Sequence, residues 1–277
     1  MSKAFCTQQE YQGFQKYLED TCGIVLGDNK QYLVSSRLTK VFTEYSLGSL
    51  GDLLTKLNSG IVRGLRERII EAMTTNETSW FRDNYPYDML METLLPELAK
   101  TKRNMPIKVW SAACSSGQEP YSISMITQEF QQKNPGALPG DVQVTGTDIS
   151  PAILSEAKEG VYDNLAVIRG LSPERTQRFF TQKEHKWQIN PDVKRRISFR
   201  ELNLMQSYTL LGRFDIIFCR NVLIYFSAES KSDILSRMAK ALNPGGYLFL
   251  GGSESIANYS DDFELVRMPR GVVYKVK

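Results

Sequence analysis

The chain has 277 residues, 42% hydrophobic and 23% charged, enough to bury one large core and a smaller one beside it. Its formal net charge of +3 is too mild to demand a nucleic-acid partner. A single histidine and four scattered cysteines with no Cys-x-x-Cys pair argue against a zinc site, and exclude a Ser-His-Asp triad unless His185 is in it.

Met1 to Glu10 lacks the apolar core of a signal peptide, and no apolar run approaches the roughly 20 residues of a membrane span. The expectation is a cytoplasmic protein with no membrane insertion. Cys6, Cys22, Cys114 and Cys219 are then reduced thiols. Residues 1–75 read as helices only. Thr7 with Glu10 has the capping-box form, and Tyr11, Phe14, Tyr17 and Leu18 fall on one stripe. Asp28 is placed to cap a second helix, in which Arg37 and Lys40 share a polar face. Ser49 with Asp52 opens a third helix ending near Gly60, and Ile61, Leu65, Ile69 and Met73 recur at every fourth position.

Thr74 to Asp83 is polar, then abruptly aromatic, and fits neither the helical nor the strand period. Trp80 and Phe81 would be ill placed in a solvated linker, so this loop is expected to pack against something. Tyr87 to Leu98 again reads as helix.

From Ile107 the pattern becomes alternating strands and helices, the mark of an α/β domain with a parallel sheet. Ile107, Val109 and Ala112 form a short buried strand. Cys114 to Gly117 make a small-residue turn, and a helix follows around Pro120. With Gly117 alone, the turn is neither the three-glycine dinucleotide fingerprint nor a P-loop. Val142 to Thr147 is a second strand ending in Asp148, where an acidic residue takes ribose hydroxyls in doubly wound sheets or simply supports the turn to Ser150-Pro151.

Residues 161–200 interrupt the alternation, with nine Lys/Arg against four acids, including strands at Trp187 to Ile189 and Ile197 to Phe199. This basic insertion is a plausible docking surface for an acidic protein. Phe214 to Phe226 carries a further strand with Arg220-Asn221 at its carboxyl end, where polar residues face the ligand crevice. Asn243 to Gly246 turns into a strand at Tyr247 to Leu250. Phe263 to Arg267 and Val272 to Val276 close the sheet as an antiparallel hairpin.

That order of elements resembles the doubly wound, Rossmann-like sheet of S-adenosylmethionine-dependent methyltransferases. Four stretches narrow the resemblance: Thr74-Thr-Asn-Glu-Thr-Ser-Trp-Phe-Arg82, Ala112-Ala-Cys-Ser-Ser-Gly-Gln-Glu-Pro120, Gly146-Thr-Asp-Ile-Ser150 and Cys219-Arg-Asn-Val-Leu-Ile-Tyr-Phe226. Together they are similar to the chemotaxis receptor methyltransferases, the CheR family, over nearly the whole chain.

The resemblance implies three parts: a helical domain over 1–75, a cofactor-covering loop over 76–86, and a methyltransferase domain over 87–277 with a β-containing insertion at about 165–200. It implies S-adenosylmethionine as cofactor, S-adenosylhomocysteine as product, and transfer of methyl to glutamate carboxylates of chemoreceptors. Cofactor contacts are implied for Asn76, Thr78, Arg82, Glu119, Asp148, Asn203, Leu204, Arg220 and Asn221. Arg82 and Tyr225 are the implied catalytic residues, and Arg37 and Lys40 the implied contacts to the receptor's cytoplasmic helical hairpin. No metal is implied, and the expected state is a monomer. Family members that bind a receptor's C-terminal peptide have a longer, glycine-containing hairpin where this chain has Thr181 to Arg195, so peptide tethering is not expected. Two alternatives stand beside this reading: a methyltransferase acting on another substrate, and a non-catalytic S-adenosylmethionine sensor.

Overall fold

Thr7 caps the first helix as its spacing from Glu10 demands: in a computed structural model describing residues 5–277, both halves of the capping box are made. The described chain divides into two compact units, residues up to Thr75 with Tyr225–Ser230, and Asn76–Ile224 with Lys231–Lys277.

The first unit is helical: α1 (Gln8–Cys22), α2 (Gln31–Glu44), α3 (Leu50–Ser59) and α4 (Leu65–Met73). Tyr11, Phe14 and Leu18 of α1 are buried, as are Val34, Leu38 and Val41 of α2. Ser49 caps α3 through the Asp52 N–H, and Gly60 ends it in the left-handed conformation. Two expectations fail here. Asp28 caps nothing, since α2 starts after Lys30 without a side-chain cap. Ile61 is 84% exposed and lies outside α4, which begins only at Leu65.

The second unit opens with α5 (Tyr85–Met89), a π-helical turn (Leu90–Leu94) and α6 (Leu95–Lys102). Then come β1 (Ile107–Ala112), α7 (Gln118–Lys133), β2 (Val142–Asp148) and α8 (Pro151–Glu159). The insertion holds β3 (Val161–Asp163), α9 (Asn164–Ile168), α10 (Pro173–Phe179), β4 (Phe180–Lys183), β5 (Lys186–Ile189) and α11 (Pro191–Lys194). The chain ends with β6 (Ile197–Glu201), β7 (Phe214–Cys219), α12 (Ala228–Ala241), β8 (Leu242–Leu250), β9 (Phe263–Met268) and β10 (Gly271–Val276).

Seven strands form one sheet in the order β6-β2-β1-β7-β8-β10-β9. β6, β2, β1, β7 and β8 run parallel, and β10 is antiparallel to both β8 and β9. Every residue of β7 is buried, as expected of a parallel strand covered on both faces. Alternate residues Val109, Ile216, Phe218 and Phe249 join one core cluster with Tyr121, Ile123 and Ile126 of α7. The insertion carries its own antiparallel sheet, β3-β5-β4. Its hairpin turns tightly at Glu184-His185 and contains no glycine. The sequence put Ile197 to Phe199 inside this insertion. Instead β6 pairs in parallel with β2, Val144 opposite Ile197, and forms an edge of the main sheet.

Candidate active site

The parallel register brings the carboxyl ends of β2, β1 and β7 side by side: Thr147 lies opposite Ala112, which lies opposite Cys219. In an open parallel sheet the ligand crevice lies beyond those ends. The turn leaving β1 is tightly wound, with Ala113, Ser115 and Gly117 all at positive φ (+55°, +51° and +94°). At Gly117 a side chain is excluded twice, by conformation and because a Cβ would lie 3.1 Å from both Ala157 Cβ and the Tyr121 ring.

Asp148 is the last residue of β2 and is buried. Its Oδ2 accepts the Ser115 N–H at 2.9 Å and its Oδ1 accepts the Ser150 N–H at 3.1 Å. It therefore supports the turn into α8 while clamping the β1 turn. Each carboxylate oxygen keeps acceptor capacity beyond one bond. Burial pushes the Asp148 carboxyl pKa up, against backbone N–H groups that pull it down.

Glu119, in the first turn of α7, has a side chain only 12% exposed. Ser111 Oγ donates to its Oε1 at 2.7 Å, and Arg220 Nη1 to its Oε2 at 3.2 Å. Burial raises the Glu119 pKa, and the Arg220 guanidinium opposes that rise. Arg220 Nη2 also donates to the Arg82 carbonyl at 2.8 Å and to Asp83 Oδ2 at 2.6 Å. Its buried Nε has no partner among the described residues. Arg220, an expected cofactor contact, thus engages protein groups through both of its Nη atoms.

The Asn76–Asn84 segment is anchored from several sides. Ser115 Oγ donates to the Asn76 carbonyl at 2.9 Å, and the Phe81 N–H donates to Ser122 Oγ at 3.1 Å. Trp80 and Phe81 are buried, as their apolar character requires, and each such burial is worth about 1.5–3 kcal/mol. Trp80 packs into the insertion, edge-on to Tyr162 and Phe180, and its Nε1 donates to the Ala166 carbonyl at 2.9 Å. Its N–H donates to the Arg169 carbonyl at 3.1 Å, while Arg169 pairs with Glu77. Nothing in the sequence signalled that the insertion holds this loop. Arg82 is half-buried, with Nη1 donating to the Glu77 carbonyl at 3.3 Å, and Thr78 is half-buried nearby in the chain.

Beyond β6, Asn203 Oδ1 accepts the Met205 N–H at 2.9 Å, and buried Leu204 accepts from the Tyr208 phenol at 2.7 Å. Asn221 follows Arg220 at φ +58°, with its Oδ1 buried and unpartnered among the described residues. Asn76, Arg82, Glu119, Asp148, Arg220 and Asn221 all belong to the second unit, whereas Tyr225 groups with the helical unit. There the Tyr225 carbonyl accepts the Val25 N–H at 2.9 Å.

Arg37, an expected receptor contact, lies half-buried in α2. Its guanidinium is spent on the end of α4, donating to the carbonyls of Met73 (2.6 Å) and Thr74 (3.3 Å) and to Thr75 Oγ1 (2.8 Å). It satisfies helix-end carbonyls, and of the pair Lys40 is the exposed one. Sequence reasoning also missed Asp83 and Ser111, whose carboxylate and hydroxyl complete the Arg220–Glu119 cluster.

Comparison with known proteins places these features in context. Residues 76–272 match the family model for the CheR methyltransferase SAM binding domain, and residues 9–74 that for the CheR methyltransferase all-alpha domain. The chain is 55% identical over 278 residues to chemotaxis protein methyltransferase 1 of Vibrio cholerae, covering 100% of both chains. It is 52% identical over 269 residues to chemotaxis protein methyltransferase 1 of Pseudomonas aeruginosa, covering 97% of this chain and 98% of that one. Among solved structures, magnesium protoporphyrin IX methyltransferase of Synechocystis with bound SAH aligns at TM-score 0.39 and 14% identity, over 74% of this chain and 90% of that one. Among the described residues, no helix is long and apolar enough to cross a membrane.

Proposed function

Because this chain belongs to the CheR methyltransferase family and takes S-adenosylmethionine as cofactor, we propose that it esterifies glutamate side chains of chemoreceptors, giving glutamate γ-methyl esters. When bound, S-adenosylmethionine supplies a methyl group on a positively charged sulfur. The observation that carries the substrate assignment is similarity along the full length of chemotaxis methyltransferases, helical domain included.

The residues at the strand ends suit this cofactor. Asn221 Oδ1 and Arg220 Nε are a buried acceptor and a buried donor without a partner among the described residues, the kind of group a ligand satisfies. The methionyl end of the cofactor offers an ammonium and a carboxylate of matching polarity. In our reading Asp148 takes the ribose hydroxyls through its remaining lone pairs. Asn203 and Leu204 flank the adenine. Asn76, Thr78 and Arg82 close on the cofactor from their loop, and Glu119, held by Ser111 and Arg220, faces its cationic part.

A glutamate acceptor needs no proton removed, because its carboxylate is already ionised near neutral pH. That agrees with a chain whose one histidine, His185, is exposed in the hairpin turn of the insertion. The work left to the protein is to align carboxylate oxygen, methyl and sulfur and to exclude water. Arg82 is our candidate for orienting the acceptor, since a guanidinium can hold a carboxylate by paired hydrogen bonds. Tyr225 is a second candidate, on sequence grounds alone. Exposed Lys40 is the candidate for receptor contact.

The test is incubation of the purified protein with methyl-labelled S-adenosylmethionine and receptor cytoplasmic fragments, followed by mild alkali and mass mapping. The expected result is label on glutamates, released by alkali as methanol. Alkali-stable label on another side chain, or label in RNA, would overturn the glutamate assignment.

A further inference from the structure

Glu254, in the loop after β8, gathers three backbone donors onto one carboxylate. The N–H groups of Asn221 (2.6 Å) and Gly251 (2.8 Å) both reach its Oε2, and the Ile224 N–H reaches Oε1 at 3.3 Å. The Glu254 backbone is held as well, its N–H donating to the Gly251 carbonyl at 2.9 Å. Gly251 cannot carry a side chain here, since a Cβ would stand 2.6 Å from Asn221 Nδ2 and 2.8 Å from Glu254 Oε2. The ends of two neighbouring parallel strands, β7 and β8, are thus tied through one acidic side chain.

The segment so tied is held in an uncommon shape. Asn221 sits at φ +58°, in the left-handed region that asparagine enters more readily than other side-chain-bearing residues but that is still sparsely populated. Its Oδ1 is buried with no partner among the described residues. A loop that buries an unsatisfied acceptor needs something to hold it, and the Glu254 carboxylate is bonded to that very residue's N–H. Charge-assisted bonds of this kind are short and directional, suited to fixing a peptide plane.

We infer that Glu254 is a positioning residue for the cofactor site: by binding the N–H groups of Asn221, Ile224 and Gly251 it sets the Asn221 side chain in place for the cofactor. This rests on the reading of Asn221 as a cofactor contact proposed above. The role is indirect, through Asn221, and Glu254 takes no part in the methyl transfer itself.

Calorimetry with S-adenosylhomocysteine on N221A, E254A, E254Q and the N221A/E254A double variant tests it. N221A and E254A should each weaken binding by about tenfold, the scale of one lost polar contact. The double variant should lose little more than either single one, because both act through the same contact. E254Q, which can still offer one oxygen to the Asn221 and Gly251 N–H groups, should recover most of the affinity. A solely structural role would lower the melting temperature of E254A yet leave its affinity unchanged below that temperature.

The two possible failures separate. If N221A weakens binding and folded E254A does not, the positioning role is wrong and the reading of Asn221 stands. If N221A binds like the unaltered protein, the reading of Asn221 falls and this inference with it. Should E254A not fold, E254D carries the test: its carboxylate is one methylene short of the three donors, and unaltered affinity in that variant overturns the inference.

Discussion

Arg220 Nη1 lies 3.2 Å from Glu119 Oε2, joining the end of β7 to the first turn of α7 through two largely buried side chains. The same guanidinium reaches Asp83 and the Arg82 carbonyl, so one side chain ties together three segments far apart in sequence. Removing one partner from a buried charge pair leaves the other uncompensated. R220A should therefore lower the unfolding free energy by about 3–5 kcal/mol, and R220K should recover little of it because an ammonium lacks the planar fork. Chemical denaturation reads the stability. E119Q should be milder, since an amide still offers an oxygen to the Ser111 hydroxyl.

Acidity should act on stability and on binding with opposite signs. Burial raises the pKa of both Glu119 and Asp148. A carboxyl with a raised folded-state pKa contributes stability that is full in acid and is lost as pH rises through that raised value. If, as proposed, Glu119 faces the sulfonium and Asp148 takes the ribose hydroxyls, binding needs both groups ionised. Affinity for S-adenosylmethionine should thus fall on acidification from a higher pH than an exposed carboxylate, near about 4, would produce. Calorimetry across the acid range checks this. E119Q should shift the onset downward, and a flat profile to pH about 4 would count against the assigned roles.

The β1 turn gives a steric test. With Gly117 at φ +94° and a Cβ meeting Ala157 and Tyr121 at 3.1 Å, G117A combines strain with overpacking. A cost of about 1–3 kcal/mol in stability is expected. Cofactor affinity should fall with it, because the same turn carries the Ser115 N–H that bonds Asp148. Thermal unfolding with and without S-adenosylhomocysteine separates the two effects.

Arg37 and Lys40 should part company. R37A deprives the end of α4 of hydrogen bonds to two carbonyls and to Thr75, and should destabilise the helical unit by about 1–3 kcal/mol. K40A should leave the melting temperature unchanged. If Lys40 meets the receptor, that variant slows methylation at low ionic strength and loses the difference in high salt. Equal behaviour of the two variants in unfolding would contradict the capping role of Arg37.

What the sequence made legible was local. Thr7 and Glu10, Ser49 and Gly60, and Ser150-Pro151 announce helix ends within a few residues, and they behave as read. The buried runs of β1, β2 and β7 and the polar residues at their ends were equally plain, since period and turn chemistry are properties of short segments. Long-range placement was hidden. Ile197 to Glu201 has too short a pattern to tell an edge strand of the main sheet from a strand of the insertion; only its pairing with β2 decides. Asp83 and Glu254 carry no signal in the sequence, because the groups they bind, the Arg220 side chain and the Asn221 backbone, are distant in the chain. The same holds for Arg37, whose partners lie a full two helices later.

A crystal structure with S-adenosylhomocysteine shows whether the cofactor is held, as proposed, at the carboxyl ends of β2, β1 and β7. Density for the ligand should run from the Asp148 carboxylate, at the ribose, toward Glu119 and Asn221 Oδ1, at the methionyl end. Ligand density elsewhere on the protein, with those three groups untouched, would contradict the account.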